Sequence, residues 1–95
     1  MFANLAGANF FRSDLSLANL KYADLTGTNL AEVDLVQADL RHANLTNANL
    51  DNTNLGGAIL QDTRGLSRAQ LSNARAVDES SLPDYLRNER RTLRD

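Results

Sequence analysis

The chain has 95 residues and a formal net charge of −2, and 17 Leu, 13 Ala and 11 Asn make up much of it beside no Cys, no Trp and a single His. No disulfide framework, thiolate nucleophile or cysteine metal site can be built, lone His42 cannot form a multi-histidine site, and the acidic balance argues against binding nucleic-acid phosphates directly. Residues 1–20 contain no apolar run long enough for a membrane span or a leader, so a cytoplasmic protein that touches no membrane is expected.

From Ala3 the chain divides into twelve consecutive pentads, ANLAG, ANFFR, SDLSL, ANLKY, ADLTG, TNLAE, VDLVQ, ADLRH, ANLTN, ANLDN, TNLGG and AILQD, ending at Asp62. The third residue of each is Leu, or Phe at Phe10. The first is Ala in eight pentads and otherwise Ser13, Thr28, Val33 or Thr53, and the second is Asn or Asp in every pentad but the last, which has Ile59. A fixed period marks a repeat architecture. On an α-helix five residues rotate by roughly 140°, so leucines at this spacing scatter around the cylinder. On a strand an odd step sends them to alternate faces. The period therefore requires a chain that turns once per pentad, with Asn and Asp suited to the turns by local hydrogen bonding and tolerance of unusual dihedrals.

These pentads resemble the A(D/N)LXX motif of the pentapeptide-repeat family, in the manner of its small bacterial, cyanobacterial-type members, over residues 3–62. The resemblance implies an all-β solenoid, a right-handed quadrilateral parallel β-helix of about three coils, with the Ala and Leu positions inside and four pentads per coil. At roughly 4.8 Å per strand spacing, such a column stands about 15 Å tall.

With four pentads per coil, residues twenty apart share a column. Lys21, Tyr22, Arg41 and His42 then fall on one face, as a candidate partner or anion patch or as an ordinary solvated face. Asp14 and Asp34 stack on a second face beside Leu17 and Val36, close enough to hold a weak cation or to raise one carboxyl pKa. On a third, Asn9, Asn29 and Asn49 read as an amide ladder more readily than as a ligand site. The fourth carries Asn4, Asp24, Asn44, Thr26 and Thr46. Inward Ser13 and outward His42 are not expected to meet as nucleophile and base, and no phosphate-binding loop is present, so neither an enzyme nor a cofactor site is expected.

The ends differ. Pentads begin directly after Met1 and Phe2, so Phe2, Phe10 and Phe11 gather at the first coil, which is expected to be uncapped. An uncapped parallel edge is a template for another chain. The alternatives are an end-on homodimer, contact with a separate repeat protein, or Met1 and Phe2 folding over the axis. After Asp62 the pattern fails at Gly65, and Ser67 to Gln70 reads as a capping box for a helix from about Arg68 to Arg75, whose Leu71 covers the last coil. Leu82, Tyr85, Leu86 and Leu93 can line a further apolar stripe, whereas residues 87–95 are charged enough to form a frayed tail. The expected division is a β-helix over 1–62 and a helical cap with a charged tail over 63–95.

The function expected is a non-catalytic scaffold or protein-interaction module with an unidentified protein partner. The family also contains members that mimic duplex DNA and modulate DNA gyrase. Here residues 1–62 hold three basic and seven acidic side chains, a net charge of −4. Duplex DNA carries about nine charges over about 15 Å. Residues 63–95 hold seven Arg against five acidic residues, so the column is acidic and the tail mildly basic, able to dock on an acidic surface or simply to keep the cap soluble. The column is too weakly charged for a mimic, and the purified chain is expected to leave gyrase supercoiling unchanged. Inhibition at stoichiometric concentration would overturn that judgement.

Overall fold

A computed structural model describes residues 2–86. Each side of the column is so short that a pentad contributes one bridging residue, and all bridges are parallel. From Asn4↔Asp24 to Asn44↔Arg64, bridged residues are twenty apart, so the chain closes a turn every four pentads. The bonds between turns repeat: Leu5 N donates to Asp24 O at 2.9 Å, Gly7 N to Thr26 O at 2.8 Å and Asp24 N to Ala3 O at 2.9 Å.

The corners arise from two local devices. The second-position Asn or Asp accepts the backbone N–H two residues on through Oδ1, as in Asn9 with Phe11 N and Asp34 with Val36 N, both at 3.0 Å. The first residue of a pentad then donates back to the preceding third residue, as Ala8 N does to Leu5 O at 3.0 Å. The backbone is left-handed at the fifth position of all twelve pentads, with φ between 56° and 73°. A positive φ at the third of four residues is the type II turn arrangement. Asn and Asp are expected to serve the turns by local hydrogen bonding and tolerance of unusual dihedrals. The second-position Asn and Asp do the first as acceptors, while the unusual dihedral falls on the fifth residue, which is Asn or Asp only at Asn47, Asn52 and Asp62. The expected Asn9, Asn29 and Asn49 ladder is also modified, since each Oδ1 serves its own turn.

Inside, Leu25, Leu30, Leu35 and Leu40 are fully buried, with Ala23, Val33, Ala38 and Ala43 between them. Burying each Leu contributes about 1.5–3 kcal/mol. Thr28 and Thr53 take first positions in the core without leaving a hydroxyl orphaned, because Thr28 Oγ1 donates to Leu25 O at 2.8 Å and Thr53 Oγ1 to Leu30 O at 2.7 Å.

Residues beyond Asp62 begin by extending the ladder. Thr63 is buried and Arg64 bridges Asn44. Helix α1 then spans only Arg68–Leu71, shorter than the expected Arg68 to Arg75. The helix stops because Arg75 rejoins the ladder: its N–H donates to Thr53 O at 2.8 Å and its carbonyl accepts from Leu55 N at 2.9 Å. The partner of Arg75 is Asn54, twenty-one residues back, so one extra residue has been absorbed. Leu71, Leu82 and Leu86 join the buried cluster. Tyr85 remains exposed, with its hydroxyl accepting Leu66 N at 3.0 Å. Leu93 and the charged residues 87–95 lie outside the described residues.

Two substitutions test this geometry. Ala43→Leu is expected to cost roughly 1–3 kcal/mol or more by overpacking a fully buried position. Gly65 and Gly27 both have positive φ, but a Cβ on Gly65 would lie 2.8 Å from the Thr46 backbone, whereas one on Gly27 meets nothing within 4 Å. Urea melts should therefore show Gly27→Ala losing about 1 kcal/mol and Gly65→Ala distinctly more.

Candidate functional site

The end of the column nearest the N-terminus is built from the axial residues of the first four pentads. Leu5, Phe10, Leu15 and Leu20 are only partly buried, although each stacks on a fully buried Leu twenty residues later. Around this apolar floor stand Phe2, Phe11 and Leu17, exposed at 68%, 47% and 71%. The three phenylalanines expected to act together do not share one side. Phe10 packs on the core, Phe11 points outward with the Arg12 guanidinium 5.1 Å from its ring centroid, and Phe2 lies on the face of Tyr22. Arg12 is also held by Glu32, Nε to Oε1 at 3.0 Å.

Phe2 does not turn over the axis. Its ring stacks on Tyr22 at 4.6 Å between centroids, and Tyr22 stacks on His42 at 4.6 Å and 4° between planes. The stack ends with His42 Nε2 3.8 Å from Asp62 Oδ2. Sequence reading brought Tyr22 and His42 together but missed Phe2, although the same twenty-residue step leads from Tyr22 back to it. Counting pentads only from Ala3 hid the connection.

The basic members of this face are unequal. Arg41 grips Asp39 with two hydrogen bonds, Nε to Oδ1 at 3.0 Å and Nη2 to Oδ2 at 2.7 Å, so most of its binding capacity is used within the chain. That side-chain bond is also the main reason the Asp39 carboxyl sits below its ordinary value and Arg41 above its own. Lys21 makes no ion pair among the described residues, and a cleft lined in part by Phe2, Lys21 and Tyr22 opens beside it.

On the acidic face Asp14 bridges Asp34, as the twenty-residue spacing requires. The expectation of a raised carboxyl does not hold at Asp14. The Ser16 hydroxyl donates to Asp14 Oδ1 at 2.6 Å and the Ser16 N–H donates at 3.0 Å, and together they pull Asp14 below 3.8. Among the described residues no group of three or more His, Cys, Asp and Glu side chains is placed to hold a metal. Leu17 and Val36 stay on this face, Leu17 exposed and Val36 half-buried near Ala76.

At the other end Ser67 and Gln70 form the reciprocal box: Gln70 N donates to Ser67 Oγ at 3.2 Å and Ser67 N donates to Gln70 Oε1 at 2.7 Å. The free end of the Gln70 amide does more than the box requires. Its Nε2 donates to Leu45 O at 2.8 Å and to Ala48 O at 3.0 Å. Leu71 of α1 is buried against the same coil.

A family model described as pentapeptide repeats matches residues 1–35 and 23–62. A pentapeptide repeat protein of the Arabidopsis thaliana thylakoid lumen shares 24% identity over 64% of this chain and 42% of its own, with a TM-score of 0.63. One from the cyanobacterium Cyanothece 51142 shares 41% over 76% of this chain and 52% of its own, with a TM-score of 0.37. A third, from Nostoc, shares 38% over 75% and 72% of the two chains, with a TM-score of 0.32. The chain thus spans about half the length of the first two. No curated protein matches it.

The two sets of side-chain contacts lead to separate tests. Tyr22→Ala should lose about 0.5–1.5 kcal/mol beyond the area it uncovers, because it interrupts two ring contacts. Asp14 and Asp24 are both held below 3.8, chiefly by side-chain hydrogen bonds from Ser16 and Thr26. Their contribution is complete above that value and is lost as pH falls through their lower folded values. Asp14→Asn with Asp24→Asn keeps the Oδ1 acceptors but removes the charge that strengthens these bonds, so thermal melts should be lower than those of the unaltered chain at neutral pH, fall less steeply on acidification and converge with it at low pH.

Proposed function

Because the chain belongs to the pentapeptide-repeat family, we propose that it is a non-catalytic structural and protein-interaction module that meets another protein end-on through its first coil. In this reading residues 1–62 form a right-handed quadrilateral β-helix of about three coils, and residues 63–95 supply the helical cap and tail. Its place is the cytoplasm, without a cofactor, a membrane or direct contact with nucleic acid. The family's members are generally protein-interaction modules.

The observation carrying this reading is the contrast along the axis: Leu25, Leu30, Leu35 and Leu40 are sealed, while Leu5, Phe10, Leu15 and Leu20 are not. Covering apolar surface yields roughly 25 cal/mol per Å², and the exposed rings of Phe2 and Phe11 enlarge the contact. Ser67, Gln70 and Leu71 act as the cap that commits the opposite end to the chain itself. Lys21, Tyr22, Arg41 and His42 form a lesser contact face, since Arg41 is already paired with Asp39. The occupant of the first coil is either a second copy or a separate repeat protein.

Paired pull-downs with the unaltered chain and with Phe2→Ser, Phe11→Ser test the surface. A protein retained by the first bait and absent from the second is the expected result. Identical captures by both baits would remove the first coil from consideration.

A further inference from the structure

The hydrogen bonds between coils have a direction. In each pentad the N–H of the second residue and the carbonyls of the second and fourth residues face the preceding coil, whereas the N–H groups of the third and fifth and the carbonyl of the first face the following one. Asp24 shows the rule: its N–H donates to Ala3 O and its carbonyl accepts from Leu5 N, while Thr26 O accepts from Gly7 N. A pentad therefore presents one donor and two acceptors toward its N-terminal side, and two donors and one acceptor toward the other. In the first coil the N-terminal set has no backbone partner among the described residues. That end is an edge with twice as many acceptors as donors.

The opposite edge is rich in donors, and the chain uses it. Leu45, Leu55 and Leu60 donate to Arg64 O, Arg75 O and Ser81 O, and Gln70 Nε2 supplies the acceptors Leu45 O and Ala48 O. Asn52 N donates likewise to Asn73 O. Although the N–H groups of Asn47, Leu50, Gly57 and Asp62 have no backbone partner among the described residues, Leu45, Leu50, Leu55 and Leu60 are all buried in one cluster with Leu71, Leu82 and Leu86, so a second copy offers no coil end with an open apolar axis. Two first coils placed face to face would set acceptor against acceptor and leave half of the carbonyls unpaired in a closed interface, each at a cost in desolvation.

We propose that the first coil receives the donor-rich, C-terminal edge of a β-coil in another polypeptide, docked in parallel register, in preference to a second copy of itself. This rests on the reading of the first coil as a contact surface and names its occupant. Two features of the edge fit the same partner. Its hydrogen-bonding groups demand the reverse ratio of donors to acceptors, and its four axial residues, Leu5, Phe10, Leu15 and Leu20, demand an apolar residue at each of four sides. A parallel coil meets both, in the manner of strand addition to an open sheet edge. An α-helix N-terminus offers donors over one narrow turn and leaves most of the floor uncovered.

The probe is a coil of known sequence. A copy of residues 23–42 inserted between Phe2 and Ala3 of the full chain presents such an edge, and it is compared with the unaltered chain by amide hydrogen exchange and sedimentation. The expected result is a monomeric unaltered chain, together with exchange at Asn9 and Asp14 slowed by roughly 100-fold or more on insertion. Unchanged exchange at Leu30 and Leu35 establishes that the later coils are intact, and insertion of residues 43–62 replaces the first variant if it does not fold. If the unaltered chain dimerises with its first-coil amides protected, the surface stands but the occupant is a second copy, and this inference falls alone. If the folded insertion leaves Asn9 and Asp14 exchanging as before, this inference falls, while the paired pull-downs decide the broader reading separately.

Discussion

The left-handed corner residue is the constraint on which the column depends. Each pentad must turn the chain, and it does so with positive φ at its fifth residue. Only Gly7, Gly27 and Gly57 meet that demand freely within the repeats; nine others, among them Arg12, Leu17, Tyr22 and His42, adopt it with a side chain. A left-handed residue costs roughly 1–2 kcal/mol. The strain is offset by what the corner makes possible: an axial Leu sealed in every pentad after the first coil, backbone bonds between successive turns, and, in every pentad but the last, an Asn or Asp side chain that satisfies the N–H the corner would otherwise strand. The corner positions contain no Val, Ile or Thr, the residues for which this conformation is worst.

That omission explains how much of the architecture was legible. Period five identifies the Leu and Ala positions directly, because no regular helix or strand buries all of them. The corner residues were not legible as such, since Arg, Leu, Tyr, Glu, Gln, His, Asn, Asp and Gly share no chemistry beyond the lack of a branch at Cβ. Phe2 escaped because the motif starts after it, although the stacking rule includes it. The length of α1 escaped for a different reason. A capping box announces where a helix starts, but its end was set by Arg75 returning to the ladder one residue out of step, which nothing local to Ser72 or Asn73 foretells.

The faces and the ends divide the physical labour. Three arginines are answered within the chain: Arg12 by Glu32 and Arg41 by Asp39 on the faces, and Arg68 by Glu79 beyond the repeats. These pairs are exposed, so they add little to stability. Their larger effect is local: each arginine offsets the field of the carboxylate beside it. The ends instead combine apolar axis with oriented peptide groups, the two ingredients that bury well together.

The placement of the tyrosines has an optical consequence. The chain has two Tyr and no Trp, so its near-ultraviolet emission comes from Tyr22 and Tyr85. Tyr22 lies between the Phe2 and His42 rings beside the first coil, and Tyr85 is tied through its hydroxyl to Leu66 at the opposite end. Nature has thus left one fluorophore at each terminus of the solenoid. Replacing either by Phe keeps a ring in place and isolates the other, so fraying of the two ends can be watched separately without attaching a dye.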